Sequence, residues 1–231
     1  MSIEKEGQQT ILVVGASRGI GAAVAQYFYN QGDIVYSVSR TAAKAGEWIQ
    51  ADVSTDDGIR KIAEAIGSQP VDALLYMGGV WENNAFTTDF DFLASTAEET
   101  RFVLSVNLIA PIELTKALAN NLTQASNPRA IYIGALSGLD QCATPEVANT
   151  ASKFGLRGAV QALMLALKDK RIGFTVINPG NIATEEVLLD IEEGRFLKQT
   201  PIPMGDVLSA IEWILSLSAA VEVGEIDLRQ K

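Results

Sequence analysis

The length, composition and charge of this chain exclude several classes of protein. It has 231 residues, of which 48% are hydrophobic and 20% charged, a balance typical of a soluble globular domain with a large core. The formal net charge is −10 at pH 7. Because an acidic surface repels nucleic-acid phosphates and anionic lipid, we expect neither nucleic acid nor a membrane as a partner.

The contents of cysteine and histidine narrow the chemistry further. Cys142 is the single cysteine and histidine is absent. Disulfides within the chain, zinc clusters and histidine-dependent catalysis are therefore excluded, and no metal site is predicted. The N-terminal MSIEKEGQQ is polar and lacks the apolar stretch of a signal peptide. Together with the lone thiol, this predicts a cytoplasmic protein.

Short β-rich runs alternate along the chain with segments whose apolar residues recur at helical spacing. Such repetition implies parallel strands joined by right-handed crossovers, and runs that are apolar on both faces imply helices on both sides of the sheet. No linker or repeat interrupts residues 1–231, so we predict a single α/β domain with a doubly wound parallel sheet. The predicted strands are Thr10–Val14, Ile34–Ser39, Ala73–Met77, Ala130–Gly134 and Phe174–Ile177, followed by an edge strand in VGEIDLRQK (223–231).

The first predicted strand leads directly into a glycine-rich turn, GASRGIG (15–21), and then into a predicted helix. Glycines allow the sharp turn and let backbone N–H groups approach a pyrophosphate at the positive end of that helix. A glycine triplet alone is weak evidence. Its position between a strand and a helix, however, favours a dinucleotide site over a tight turn without a ligand.

Two arginines near this turn bear on the choice of cofactor. An NAD site would place a carboxylate at the end of the second strand to bind the ribose 2′-hydroxyl, but no acidic residue occurs from Ile34 to Gly46. Arg40 follows that strand, and Arg18 lies inside the glycine turn. Two guanidinium groups together suit a 2′-phosphate. Either arginine alone could be interpreted as a solvated surface residue. We therefore predict NADP(H) as the cofactor.

Two long helices are predicted, one from about Ser95 to Asn121 and the other from about Thr150 to Lys170. The second is apolar around much of its circumference, because Phe154 lies outside the stripe that contains Leu156 and Leu163. A helix of this kind is either deeply buried in its own subunit or packs on a second subunit.

With these elements in place, the sequence resembles the short-chain dehydrogenase/reductase family over nearly the whole chain. The motifs that carry the resemblance are GASRGIG (15–21), QADVS (50–54), LLYMGGV (74–80), SVNLIAP (105–111), SKFG (152–155) and NPGNIAT (178–184). Their order along the chain makes the resemblance specific. It implies a Rossmann fold and hydride transfer at the nicotinamide ring of a dinucleotide.

The resemblance and the two arginines together predict the residues that contact NADP(H). These are Gly15, Ser17, Arg18, Gly19, Ile20, Gly21, Arg40, Asp52, Val53, Gly78, Gly79, Lys153, Pro179, Gly180, Ile182 and Thr184. For catalysis, the resemblance implies that Lys153 grips the nicotinamide ribose and that Asn107 supports a water-linked proton path.

The family's catalytic tyrosine and serine are absent from the positions that the resemblance assigns to them. Asn149 stands four residues before Lys153, where the tyrosine is expected. Leu136 stands at the serine position, or Ala135 after a shift of one residue. Ser137 is adjacent, but on a regular strand it would face the opposite side unless a bulge turned it back. Because asparagine does not titrate, both proton-handling groups are predicted to be missing.

Two stand-ins for the proton donor remain open. Tyr76 lies near the end of the predicted strand Ala73–Met77, where a tyrosine is more often a packing residue. Lys153 could itself act as an acid if burial lowered its pKa. The resemblance implies an oxidoreductase that acts on a small carbonyl or alcohol substrate with non-standard proton delivery. The alternative is an inactive member that senses NADP(H) or serves as a structural subunit.

The resemblance also bears on assembly and on the substrate. It implies a homodimer or homotetramer formed through the two long helices. The segment between Thr184 and Pro203 corresponds to the part of the family that covers the substrate, although its sequence identifies no substrate and is equally consistent with an ordinary surface connection.

Overall fold

A computed structural model describes residues 7–195 and 199–231 and contains a seven-stranded, fully parallel sheet. The order across the sheet is β3-β2-β1-β4-β5-β6-β7. The chain therefore starts in the middle of the sheet, builds outward to β3, and returns to build the other half from β4. The strands are β1 Thr10–Val14, β2 Ile34–Ser39, β3 Glu47–Gln50, β4 Ala73–Tyr76, β5 Arg129–Ile133, β6 Gly173–Pro179 and β7 Glu225–Leu228.

Helices cover both faces of the sheet, because the inner strands are apolar on both sides. One face packs on α2, α4 and α5, and the other on α1 and α7. Alternate residues of β1 supply the two cores, with Leu12 on the first face and Val13 on the second. The helices are α1 Gly19–Asn30, α2 Asp56–Ile66, α3 Ala97–Leu104, α4 Ala110–Leu122, α5 Val147–Ala166, α6 Glu185–Glu192 and α7 Met204–Ser216.

This architecture confirms the predicted doubly wound parallel sheet, and the predicted strands match to within two residues at each end. The edge strand near the C-terminus is also present as β7. The two long helices differ in detail. The first consists of α3 and α4 joined by a π-helical segment, Ser105–Ile109, and the second begins at Val147, three residues before Thr150.

Residues 97–122, from α3 to the end of α4, are long and apolar enough to cross a membrane by length and composition alone, with a mean hydropathy of 1.5. In the structure 44% of that apolar stretch is buried. Val103, Leu114 and Leu118 are fully buried, the latter two in the core on one face of the sheet. These features are those of a core helix in a globular domain.

Candidate active site

A cavity of about 610 Å³ opens at the carboxyl ends of the strands, where β1 and β4 lie side by side and the chain leaves them in opposite directions. In open parallel sheets this is the position at which ligands bind. Nearly all the residues predicted to form the site line this cavity. They are Gly15, Ser17, Arg18, Gly19, Ile20, Arg40, Asp52, Val53, Gly78, Gly79, Leu136, Asn149, Lys153, Pro179, Gly180, Ile182 and Thr184. Gly21 and Asn107 are the two predicted residues outside the lining.

Gly21 packs closely against the glycine turn. A Cβ atom at this position would lie 2.2 Å from the carbonyl oxygen of Gly15, and one at Gly15 would lie 2.6 Å from Cα of Gly78. Gly15 and Gly19 also have positive φ angles of 84° and 55°. The glycines therefore permit both the backbone conformation and the close approach of β1 to the residues after β4.

The first turn of α1 faces the cavity. Its N-cap is Arg18, and no described side chain caps the helix there. The amide groups of Gly19 and Ile20 thus lie at the positive end of a 12-residue helix, at the rim of a cavity. This arrangement fits an anionic group such as the pyrophosphate of a dinucleotide.

The two arginines occupy the same end of the cavity, but each already has a neighbour. Arg18 Nη1 lies 3.1 Å from Glu186 Oε1 in α6, and the pair is largely exposed. The Arg40 guanidinium lies 5.6 Å from the ring centroid of Phe102. An exposed ion pair of this kind contributes at most about 1 kcal/mol, so a phosphate can displace Glu186 from Arg18.

Lys153 lies on the inner face of α5 and is buried. Its Nζ atom donates a hydrogen bond of 3.0 Å to the carbonyl oxygen of Ile133, the last residue of β5. Burial away from water disfavours the ammonium and lowers the pKa of Lys153 to about 8. Ile133 is its one hydrogen-bond acceptor among the described residues, so the ammonium keeps two further protons to donate.

Asn107 lies in the π-helical segment and anchors the chain after β4. Its Oδ1 atom accepts a hydrogen bond of 2.9 Å from the backbone N–H of Val80, and its Nδ2 atom donates one of 2.7 Å to the carbonyl of the same residue. Nδ2 also donates to Ser152 Oγ at 3.1 Å. The side chain thereby fixes the loop after Gly79 to α5, a contact that sequence reasoning did not identify.

Ser137 lines the cavity, on a side that the sequence had left open, although its hydroxyl oxygen is covered by neighbouring atoms. β5 ends at Ile133, and Leu136–Gly138 form a single 3₁₀ turn, so the alternation of a strand no longer applies. Ser137 is only 8% exposed, lines the cavity, and its hydroxyl has no hydrogen-bond partner among the described residues. A Cβ atom at Gly138 would lie 2.9 Å from Cβ of Lys153, which shows how closely this turn packs on α5.

The tyrosines do not supply a replacement acid. Tyr76 is fully buried in the core, and its hydroxyl donates a hydrogen bond of 2.7 Å to the carbonyl of Val106. Burial, together with the nearby charge of Asp52, raises the pKa of Tyr76 far above its usual value. No tyrosine lines the cavity within residues 7–195 and 199–231. Tyr76 is therefore a packing residue.

Two buried carboxylates near the cavity were not singled out from the sequence. Glu82 Oε1 accepts a hydrogen bond of 2.7 Å from the backbone N–H of Ala148, and its carboxylate also receives the N–H of Asn149. Glu146 Oε1 accepts one of 2.8 Å from the N–H of Phe86. Glu82 lies 66 positions before the helix that it caps, so no local pattern reveals the contact.

Comparison with known proteins identifies the family. Residues 9–189 match the family model for short chain dehydrogenases, a stretch that runs from β1 through the glycine turn and Lys153 into α6. The chain belongs to the short-chain dehydrogenase family. The segment that covers the substrate in that family includes residues 196–198, which lie outside the described residues.

Several curated short-chain dehydrogenases are similar to this chain. It is 25% identical to the 3-oxoacyl-[acyl-carrier-protein] reductase FabG of Vibrio cholerae, over 93% of this chain and 92% of that protein. It is 26% identical to the uncharacterised oxidoreductase YxnA of Bacillus subtilis, over 80% of this chain but only 55% of that protein. The match thus extends to the full length of FabG but not of YxnA.

Solved structures of similar fold include complexes with both nicotinamide cofactors. A 4-hydroxyisoleucine dehydrogenase complexed with NADH has a TM-score of 0.79 and 24% identity, covering 96% of both chains. A variant of ElxO with NADPH bound has a TM-score of 0.81 and 18% identity, covering 96% of this chain and 97% of the other. At these identities the likeness concerns the fold, and it does not choose between the two cofactors.

Proposed function

We propose that this short-chain dehydrogenase is an NADP(H)-dependent oxidoreductase for a small carbonyl or alcohol substrate, with Ser137 and Lys153 handling the substrate oxygen and the proton. The observation that carries the proposal is the pairing, in one cavity, of an uncapped helix end with a buried lysine and a buried, unpartnered hydroxyl.

The preference for NADP(H) is supported by the charges at the end of β2. Arg40 follows this strand and Arg18 lies across from it in the glycine turn, and both line the cavity. Between Ile34 and Gly46 there is no carboxylate to accept hydrogen bonds from a 2′-hydroxyl. When bound, the cofactor supplies the hydride chemistry. The arginines bind its 2′-phosphate, and the amides of Gly19 and Ile20 bind its pyrophosphate.

Proton handling follows from the groups at the other end of the cavity. The carboxamide of Asn149 can orient a carbonyl group but cannot deliver a proton. Lys153, with a pKa of about 8, remains mostly protonated at pH 7 and yet releases a proton far more readily than an ordinary lysine. The Ser137 hydroxyl donates a hydrogen bond to the substrate oxygen. When an alcohol is oxidised, the neutral amine of Lys153 accepts the single hydroxyl proton, and Ser137 keeps its hydrogen bond to the oxygen.

Cofactor choice is tested by calorimetric titration of the purified full chain with NADPH and NADH. We expect NADPH to bind at least ten times more tightly. The variants Arg40→Ala and Arg18→Ala should each weaken NADPH binding about tenfold or more, since a charge-assisted contact to phosphate contributes about 1.5–3 kcal/mol. The affinity for NADH should stay nearly unchanged. Equal affinities for NADPH and NADH in the native protein would overturn the assignment.

Turnover is tested by NADPH consumption at high protein concentration against a panel of aldehydes and ketones. Ser137→Ala and Lys153→Met should each lower the rate about 100-fold, the scale of a positioned acid or donor, while NADPH still binds to Ser137→Ala. Thr144→Ala is the matched control, because this hydroxyl also lines the cavity but bonds to Thr150. NADPH binding without any turnover would instead favour a sensor or structural subunit.

We also propose a homo-oligomer that assembles through α4 and α5. Phe154 and Leu165 lie on the outer side of α5, and Ile109 and Ile112 lie at the start of α4, all with exposed side chains. Large apolar side chains left exposed in this way are typical of an interface between subunits. Light scattering should give two or four times the mass of one chain, and the double variant Phe154→Glu/Leu165→Glu should give a monomer. A monomeric native protein would refute the proposal.

A further inference from the structure

Two aromatic rings stand exposed at the wall of the cavity, in the loop that follows β4. Trp81 is 54% exposed and Phe86 is 38% exposed. Their ring centroids lie 5.9 Å apart at an interplanar angle of 63°, and both residues line the cavity. Large apolar rings that remain together in water, instead of packing in the core, mark a surface that binds another molecule.

The backbone that presents these rings is strained. Phe86 has a φ angle of 65° and Asn84 one of 56°. Asparagine tolerates this left-handed region, but for a bulky residue such as phenylalanine it is unfavourable. Strain of this kind persists only where surrounding contacts enforce it, and it is concentrated at functional sites.

The contacts that enforce the conformation come from the two buried carboxylates. Glu146 accepts the N–H of Phe86 at 2.8 Å, directly at the strained residue. Glu82 accepts the N–H groups of Ala148 and Asn149 at the start of α5. A carboxylate at a helix N-terminus is favourable because it meets the positive end of the helix dipole. The loop is thereby tied to the helix that carries Lys153, and the rings are held in a fixed position relative to it.

Several other residues that line the cavity are apolar or neutral. Leu136 and Val187 contribute apolar surface, and Ser137, Thr144 and Asn149 contribute neutral polar groups.

The charges along the cavity do not favour an acidic substrate. The carboxylates of Glu186 and Asp190 line the cavity and are paired with Arg18 and Arg195. Among the described residues, the only cations that line the cavity are Arg18 and Arg40, which we assign to the cofactor, and Lys153, which bonds to the end of β5. A carboxylate on the substrate would therefore lie near like charges, and the one lining cation left to it among the described residues, Lys153, is the proposed proton donor and bonds to Ile133.

From these observations we infer that Trp81 and Phe86 form a subsite for the aromatic or flat apolar group of an uncharged ketone or secondary alcohol. The inference rests on the proposed function for the reaction, but it specifies the substrate class. The rings stack on or pack against the flat group, and Ser137 and Asn149 face its oxygen.

Calorimetry with 2-acetonaphthone tests this subsite, using the full chain with and without saturating NADP⁺. Phe86→Ala and Trp81→Ala should each weaken binding of this ketone about tenfold, on the scale expected for loss of an aromatic contact. The matched control is Phe92→Ala, which removes a ring of the same connection that is as exposed as Trp81 but does not line the cavity. This control should leave the affinity unchanged.

A second probe tests the charge argument. 6-Acetyl-2-naphthoate carries the same ring and ketone with an added carboxylate, and we expect it to bind at least ten times more weakly than 2-acetonaphthone. Equal or tighter binding of the acid, no binding of the neutral ketone, or equal effects of Phe86→Ala and Phe92→Ala would each overturn the inference.

Two further measurements separate failure of the subsite from other causes. If the melting curve shows that Phe86→Ala does not fold, Phe86→Leu replaces it, because leucine retains an apolar side chain but not the ring. This variant should still weaken binding of the ketone. Ketone binding needs no turnover. If the protein binds 2-acetonaphthone through Phe86 but never consumes NADPH, the subsite stands and the proposed reductase activity is refuted. If Phe86→Ala leaves turnover unchanged, the subsite alone is refuted.

Discussion

The buried ammonium of Lys153 should make the protein less stable at neutral pH than a variant without it. The pKa falls from 10.5 in the exposed group to about 8 in the folded protein, which corresponds to a cost of about 3 kcal/mol for the charged form. Lys153→Met removes this cost and also the hydrogen bond to Ile133, which contributes about 1 kcal/mol. We expect the variant to be more stable by about 2 kcal/mol at pH 7.

The pH dependence distinguishes this effect from improved packing. Below pH 8 the lysine is charged in both the folded and unfolded chains, so the full cost applies. As the pH rises from 8 to 10.5, the folded protein loses its proton first and gains stability relative to the unfolded chain. The advantage of Lys153→Met should therefore shrink by about 2 kcal/mol between pH 7 and pH 10.

Urea denaturation followed by circular dichroism at each pH measures the two free energies of unfolding. Lys116→Met is the control, because it removes an exposed lysine from α4 and should change stability by no more than about 0.5 kcal/mol at pH 7. An advantage of Lys153→Met that stays constant from pH 7 to pH 10 would refute the assignment of the cost to a buried charge.

Three further substitutions test individual contacts. Gly21→Ala places a Cβ atom 2.2 Å from the carbonyl oxygen of Gly15, so the turn must shift. Because this shift removes several charge-assisted contacts at once, calorimetry should show NADPH affinity reduced about 100-fold or more. Unchanged affinity would contradict the role of the turn. Glu82→Gln keeps the shape of the side chain but weakens the bonds to the start of α5, and should lower the urea-derived stability by about 1–2 kcal/mol. Glu98→Gln, at an exposed carboxylate of α3, is the control and should have little effect. Asn149→Tyr with Leu136→Ser rebuilds the family's proton-handling pair and should raise NADPH turnover about 10²–10⁴-fold. No gain in a folded, NADPH-binding variant would show that other groups also differ.

The fold could be predicted because its signals are local and repetitive. Apolar runs such as Thr10–Val14 and the glycine turn after them lie next to each other in the sequence, and both reappear in the structure as predicted. The side that Ser137 faces could not be decided from the sequence, because the regular strand ends at Ile133 and a 3₁₀ turn begins at Leu136. A single residue in a new conformation is enough to turn a side chain from one face to the other.

The supports of the site could not be predicted, because they join distant parts of the chain. Asn107 bonds to Val80, 27 positions away, and Glu82 caps a helix 66 positions later. The sequence does not distinguish a buried glutamate from an exposed one. Only the folded arrangement shows which N–H groups donate hydrogen bonds to its carboxylate. Trp81 and Phe86 likewise carry no periodic signal, since the loop that holds them belongs to neither a helix nor a strand.

The π-helical segment at Ser105–Ile109 has a consequence for insertions and deletions. Such a segment holds one residue more than a regular helix of the same path. Deleting one residue there would restore an unbroken α-helical ladder and leave Ala97–Leu104 and α4 oriented as before, yet it would remove the wide turn from which Asn107 reaches Val80. Asn107 would then turn away from Val80. A regular helix at this point of the chain is therefore incompatible with an intact cavity. The π-helical segment is a feature that the sequence must encode.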